Sequence, residues 1–165
     1  MTETPRVSNL VDEWLIFARE SLLSAKALTH TDFAPNHIIC FLCQGSAEKY
    51  LKAYLISKGW KLKKIHDLAD LVGDAMGYDE RFSALLSQAW ILNDYTEAGR
   101  YPSDVDFESI TAKEAEEAIK AAEEVAEFVL GILRPSASSN LNLTTDLTAT
   151  QSPPGNDPNP SPRAE

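Results

Sequence analysis

Apolar residues recur at three- and four-residue intervals through most of the first 135 residues. This is the spacing of one face of an α-helix, and no segment shows the two-residue alternation of a half-buried strand. The pattern predicts four substantial helices and one short one, over about residues 8–29, 35–58, 67–72, 80–92 and 111–134. We expect an all-α fold, an antiparallel four-helix up-and-down bundle with a short extra helix.

Residues with end preferences mark the boundaries of these helices. Ser8 is the expected N-cap of the first helix, and Pro35 suits the first turn of the second, which Gly59 would end. Gly73 interrupts the short third segment, and TAKE at residues 111–114 has the form of a capping box. The connections are modest in length, as antiparallel neighbours require.

The composition changes abruptly at Ser136. Residues 136–165 hold five of the nine prolines, have no aromatic residue and show no sustained periodicity. Such a segment cannot bury enough apolar surface to offset the entropy lost on ordering. The sequence therefore predicts a helical domain over residues 1–135 and a disordered Ser/Thr/Asn/Pro-rich tail over residues 136–165.

The chain carries a net charge of −10, which argues against a general nucleic-acid coat protein because polyphosphate is repelled at long range. One local exception is a run of positive charge before the third helix. It comprises Lys58, Lys61, Lys63 and Lys64, with His66 just after. This run is the first candidate for contact with an anionic ligand.

Membrane, secretion and metal signals are lacking in the sequence. No apolar run approaches the roughly 18 residues of a membrane span, and the N-terminus has no apolar signal core. Cys40 and Cys43 lie one turn apart among apolar neighbours, which favours core packing over a redox or metal pair. We expect a cytoplasmic protein with no membrane contact, no metal site and no cofactor.

The second predicted helix carries a polar stripe of Gln44, Glu48 and Lys52, with Lys49 beside it. Glu48 and Lys52 have the favourable order for an ion pair one turn apart. The stripe is either a satisfied polar network or surface salt bridge, or a set of ligand contacts in which Lys49 or Lys52 reaches a phosphate.

The same helix is apolar nearly all round, with Phe41, Leu51 and Leu55 on the side away from its main apolar face. A helix of this kind is buried on more than one side, whereas a simple bundle buries one stripe per helix. We therefore predict a two-fold homodimer in which this helix is central and Gly45 permits close approach.

Two further groups of residues are candidates for binding a nucleotide. His66, beside Lys63 and Lys64, is either a phosphate ligand and acid–base group or a capping histidine that anchors a loop. Arg100 and Tyr101 lie in the loop before the last helix. They are either a guanidinium-and-ring clamp for phosphate and base, or a salt bridge and a packed ring at the end of the bundle.

Three motifs carry a resemblance to a known family. They are QGSAEKYLKAYLISKG from Gln44, then KKIHDLADLV, then GRYPSD. In this order they resemble the HEPN domain family, named for nucleotide binding in higher eukaryotes and prokaryotes, over about residues 10–133. The resemblance implies an antiparallel four-helix bundle that usually dimerises. It also implies, for small prokaryotic members, pairing with a minimal nucleotidyltransferase in a toxin–antitoxin-like arrangement.

Several branches of that family are metal-independent ribonucleases that use an arginine and, after four to six intervening residues, a histidine. No arginine here has a histidine at that interval. The resemblance therefore implies a non-catalytic nucleotide- or RNA-binding protein, the partner of a small nucleotidyltransferase, with single-stranded RNA among its expected ligands. One alternative is a divergent endoribonuclease toxin with His66 and Arg100 as catalytic residues. The other is an interaction scaffold without a ligand.

Overall fold

The structure is a computed structural model that describes residues 5–96 and 110–135. Within these residues it contains helices and no strand. The helices are α1 (Pro5–Leu28), α2 (Asn36–Ser57), α3 (Leu68–Met76), α4 (Leu86–Asn93) and α5 (Ala112–Leu133), with a 3₁₀ helix at Glu80–Leu85 directly before α4. The predicted all-α class is confirmed.

The long helices α1 and α2 run antiparallel. The hydroxyl of Ser46 donates to the carbonyl oxygen of Ala18 at 2.8 Å, and further along α2 the Lys52 ammonium lies 5.9 Å from the ring centroid of Trp14. Because residue numbers rise along α2 as they fall along α1, the two helices run in opposite directions. Ser46 is fully buried at this contact, where its small side chain allows close packing.

The α4 and α5 helices complete the up-and-down order. Gln88 of α4 donates to Glu124 of α5, while Phe82, earlier in the chain, packs edge-on against Phe128 at 5.0 Å, so α4 and α5 are antiparallel. The α5 helix also contacts α1, where Nζ of Lys26 lies 2.6 Å from Oε1 of Glu123. The short α3 is the extra helix, and it packs against α2 and α4.

Three predicted boundaries are wrong, each for a local reason. Ser8 is not the N-cap of α1, because the helix already begins at Pro5, whose fixed φ suits a first turn. Gly73 does not interrupt α3, since buried Leu71, Val72 and Ala75 stabilise the turns around it. The fourth helix begins as a 3₁₀ helix rather than an α-helix.

Other predicted ends are confirmed. Gly59 has φ of +81°, a left-handed conformation that suits glycine directly after a helix. Thr111 and Glu114 form the predicted capping box at the start of α5. The predicted tail, residues 136–165, lies outside the described residues.

The chain itself covers most of the apolar surface of α2. Leu51 and Leu55, which we expected a second copy to cover, are 1% and 0% exposed within one chain. The reason is that the basic loop, defined as residues 58–67, returns along α2 and places α3 against it. Part of the predicted dimer surface is therefore internal core. No helix among the described residues is long and apolar enough to cross a membrane.

Candidate functional site

The polar stripe of α2 is a buried hydrogen-bonded network. Gln44 is 1% exposed and Lys52 is 3% exposed, and Glu48 lies between them on the same side of the helix. The ammonium of Lys52 donates to Oε1 of Glu48 at 2.7 Å, and the Gln44 amide lies 3.4 Å from Oε2. The structure therefore joins Gln44, Glu48 and Lys52 in one hydrogen-bonded network, and contact of these residues with a ligand stays a prediction.

This network holds His66 of the basic loop. The side-chain amide of Gln44 donates to the carbonyl oxygen of His66 at 3.0 Å, and Nδ1 of His66 lies 3.2 Å from both carboxylate oxygens of Glu48. The imidazole nonetheless remains 45% exposed. A carboxylate against one ring nitrogen fixes the orientation of the ring.

Glu48 is the shared partner of Lys52 and His66. Burial by itself raises the pKa of Glu48, but the hydrogen bond and charge of Lys52, together with those of His66, outweigh it and lower the pKa below its usual value. Glu48 is therefore ionised at neutral pH, and its carboxylate contacts both Lys52 and His66.

Lys49 lies outside this network. Its ammonium donates to the carbonyl oxygen of Gly45 at 2.9 Å, one turn back along α2. Burial lowers the pKa of Lys49, and the nearby charge of Glu48 partly opposes that effect. Because Gly45 has no side chain, the lysine can fold over the helix, where an added Cβ would lie 3.2 Å from Nζ.

The four lysines of the basic loop differ in their contacts with neighbouring side chains. Lys58 and Lys63 lie over the rings of Tyr54 and Trp60, at 5.3 and 5.5 Å, and Lys63 is also 3.5 Å from Asp74. The remaining two, Lys61 and Lys64, are exposed. The structure therefore places predicted residues Lys63, Lys64 and His66 in one loop beside Gln44, Glu48 and Lys52.

Residues that the sequence did not single out fix the two ends of this loop. The indole of Trp60 donates to Asp74 at 2.9 Å, and the side chain of Asn93 accepts a hydrogen bond from the backbone of Leu68 at 2.7 Å. Asp67 caps α3 by accepting from the backbone of Asp70 at 3.0 Å. Only the capping position of Asp67 carries a sequence signal; the contacts of Asp74 and Asn93 depend on the tertiary fold.

The other predicted nucleotide-binding residues, Arg100 and Tyr101, lie outside the described residues. Among residues 5–96 and 110–135, no group of His, Cys, Asp and Glu side chains is placed to hold a metal ion. Cys40 and Cys43 are both 0% exposed, and burial raises the pKa of Cys40 to about 12, so both stay protonated thiols in the core.

The motifs around this network match a known family. A family model described as the HEPN domain matches residues 11–133, about three quarters of the chain. The chain belongs to the HEPN domain family. The resemblance carried by the three motifs is thereby confirmed, and the matched residues span all five helices of the fold.

Two solved structures share the HEPN architecture of this chain. The crystal structure of TT1696 from Thermus thermophilus is 27% identical, with a TM-score of 0.60, and the match covers 72% of this chain and 94% of that one. The crystal structure of ST0689, an archaeal HEPN homologue, is 24% identical, with a TM-score of 0.59 and coverage of 75% and 98%. Among proteins with curated descriptions, none matches significantly.

Proposed function

We propose that this HEPN protein is a non-catalytic module that binds nucleotide or RNA phosphates through the basic loop. The observation that carries the proposal is the anchoring of His66 by two side chains of α2, Gln44 and Glu48. The anchor holds a segment with exposed Lys61 and Lys64 in one position. A fixed cluster of cations loses less entropy on binding an anion than a free loop does.

The chemistry of the loop suits phosphate. Lysine ammonium groups act as point charges for phosphate oxygens, and the 45% exposed ring of His66 lies at the same place. Glu48 pairs with Lys52, and Asp74 lies 3.5 Å from Lys63, so exposed Lys61 and Lys64 are the lysines of the loop best placed for a ligand. Arg100 and Tyr101 are proposed to add a guanidinium and a stacking ring to the same ligand.

We also propose that the protein acts as a homodimer. Ile16 and Phe17 on α1 are 55% and 61% exposed, and Phe41 and Leu42 on α2 are half-buried. Large apolar side chains left exposed on a helix are candidates for an interface between chains. The pairing with a minimal nucleotidyltransferase, in a toxin–antitoxin-like arrangement, rests on the resemblance of the motifs alone.

The test of binding is a native gel of purified protein with end-labelled single-stranded RNA, at several salt concentrations. Lys64→Glu should abolish the shift, whereas Lys113→Glu, an equal charge reversal on exposed α5 surface, should retain it. Binding through phosphates should also weaken steadily as salt rises. Equal loss in both variants would show that overall charge matters and the loop does not. An absence of binding to RNA and to mononucleotides at any salt would support the scaffold alternative.

One observation favours a second function, the divergent endoribonuclease. The Glu48 carboxylate at Nδ1 of a 45% exposed imidazole is the arrangement that orients a histidine for general acid–base catalysis. A denaturing gel of the same reactions separates the two functions. Cleavage that His66→Ala and Arg100→Ala each remove would establish the ribonuclease. A shift with intact RNA would leave the binding module.

A further inference from the structure

The backbone of the basic loop is extended and partly unpaired. Residues 60–67 contain no helix, turn or bend, and Asp67, at their end, has extended dihedral angles, with φ of −68° and ψ of 120°. Within this stretch, the backbone N–H and C=O groups of residues 61–65 make no hydrogen bond with any described residue. We call residues 61–65 the open segment. At roughly 3.3 Å per residue it is about 13 Å long.

Contacts on either side hold the open segment in place. Before it, the indole of Trp60 donates to Asp74 at 2.9 Å, and after it the carbonyl oxygen of His66 accepts from the buried amide of Gln44 at 3.0 Å. Residues 61–64, between these two anchors, are exposed. Since buried backbone groups are nearly always paired, the unpaired groups of exposed residues are hydrated and available to a partner. A segment that is already held extended also loses less entropy on pairing than a free loop does.

The unpaired groups of the open segment match a peptide backbone. An extended segment of this kind is an edge to which an extended peptide can add as a strand. Its N–H and C=O groups together require a partner that supplies both acceptors and donors, as a second peptide backbone does. Phosphate oxygens are acceptors only, so they would leave the carbonyl groups of the segment without donors. The lysines suit phosphate or carboxylate, but the backbone is matched by a peptide.

The side chains restrict the chemistry of that peptide. Residues 58–67 carry four lysines and one acid, Asp67, a net charge of +3 with histidine counted as neutral. Asp74 lies 3.5 Å from Lys63 and offsets part of this charge, whereas Lys61 and Lys64 have no ion pair with a described residue. Leu62, between these lysines, is 57% exposed. An acidic peptide with an apolar residue beside Leu62 fits this set of side chains.

Two other occupants of the open segment fit less well. A second copy would place lysines opposite lysines, and lysines on an exposed edge are a usual protection against pairing of identical segments. Residues 136–165 of the same chain contain three acids, Asp146, Asp157 and Glu165, which are too far apart for one strand of this length. The partner with matching charge is therefore an acidic segment of another protein.

We propose that the open segment is a docking edge for an acidic, extended peptide of another protein, which adds to it as a strand. The peptide backbone pairs with residues 61–65, carboxylates contact Lys61 and Lys64, and an apolar residue packs on Leu62. This inference does not rest on the proposed binding of nucleotide or RNA. The two ligands share Lys61 and Lys64, so they exclude each other from the loop.

The experiment is a titration of the full-length protein with a short capped peptide of alternating glutamate and valine, followed by calorimetry and amide hydrogen exchange. We expect saturable 1:1 binding and slower exchange of alternate amides in residues 61–65. The matched probe is the same peptide N-methylated along one edge, which keeps its charge but has no donors for the carbonyl groups of the segment. It should bind at least about tenfold more weakly.

Equal affinity of the two peptides would show attraction between charges alone and would overturn strand addition. Absence of saturable binding, or unchanged exchange in residues 61–65, would also overturn it. End-labelled oligouridine is the nucleic-acid probe in the same exchange measurement. If it slows exchange of alternate amides as the peptide does, contact with phosphates explains the protection and the proposal is wrong.

Charge-reversal variants test the location. Lys61→Glu combined with Lys64→Glu should weaken peptide binding by at least about tenfold, since two attractive contacts become repulsive. Lys113→Glu combined with Lys120→Glu, two exposed lysines of α5, changes the net charge equally and should bind as the unmodified protein does. Melting temperatures show that both double variants remain folded. Equal losses in the two would mean that net charge governs binding, which would refute the docking edge.

Discussion

The side-chain amide of Gln44 donates to the backbone carbonyl oxygen of His66 at 3.0 Å, and Gln44 is 1% exposed. This hydrogen bond joins the middle of α2 to the end of the basic loop, 22 residues later in the chain. It fixes the backbone at His66, while Glu48 fixes the imidazole. The position of the candidate site thus depends on a buried amide of α2.

Replacing Gln44 with leucine should destabilise the protein and loosen the basic loop. The variant keeps the side-chain volume but leaves the His66 carbonyl without its donor, which costs about 1–3 kcal/mol for a buried group. Urea unfolding measures the loss, and hydrogen exchange of residues 58–67 measures the loosening. Gln88→Leu, at a partly buried contact between α4 and α5, is the control and should leave exchange in the loop unchanged. Equal exchange in the two variants would contradict the anchoring role.

Lys52→Met should be more destabilising than a surface lysine substitution. The Lys52 side chain is 4% exposed and Glu48 12%, so the substitution leaves a largely buried carboxylate with His66 and the Gln44 amide as its remaining partners. Breaking a buried pair costs about 3–5 kcal/mol, and we expect the lower end because His66 remains. Chemical denaturation of Lys52→Met beside Lys113→Met measures the difference.

A double variant separates the cost of an unpaired charge from that of lost packing. Lys52→Met combined with Glu48→Leu removes both charges, so it should recover part of the stability lost in Lys52→Met alone. The double variant should still lose the His66 anchor, which would appear as faster exchange in the basic loop. A double variant less stable than Lys52→Met would mean that the carboxylate is not the source of the cost.

The helices were predictable from the sequence because they depend on local signals. The capping box at Thr111 and the glycine at position 59 depend on backbone conformation within a few residues, and both are as predicted. The cover of Leu51 and Leu55 was not predictable, because it depends on where the basic loop and α3 return along α2. Periodicity shows that a helix is buried on several sides, but not which segment covers each side.

The candidate site was predictable to a similar degree. The residue types at Gln44, Glu48 and Lys52 and the positive charge before His66 were visible in the sequence. Their meeting was not, because a contact between α2 and a loop 18–22 residues away has no periodic signature.

Tyr54→Phe should leave the protein as stable as before or slightly more stable. Tyr54 is 0% exposed, and its hydroxyl has no hydrogen-bond partner among the described residues. An unpaired buried hydroxyl costs about 1–3 kcal/mol, so removing it is favourable while the ring stays packed 4.2 Å from Phe82. Thermal melting compares it with Tyr54→Leu, which should lower stability by disrupting the ring contact. A clear loss in Tyr54→Phe would reveal a partner for the hydroxyl.

Acid should weaken the fold partly through Glu48. The pKa of Glu48 is lowered from 4.5 in the folded protein, although burial opposes this, because Lys52 and His66 favour the carboxylate. A lowered carboxyl pKa contributes stability that is fully present above the unfolded pKa and is lost as pH falls through the folded pKa. The contribution of Glu48 should therefore begin to fall below about pH 4.5 and be gone once the pH is below the lowered pKa of the folded protein. Asp79 and Glu114 also have lowered pKa values, so their contributions to the stability of the fold are lost in the same direction, and the comparison must be between variants at each pH.

In urea unfolding, Glu48→Gln should be less stable than the unmodified protein at pH 7, and the difference in unfolding free energy should narrow as the pH falls below about 4.5. A gap that is constant with pH would show that the carboxylate charge contributes nothing.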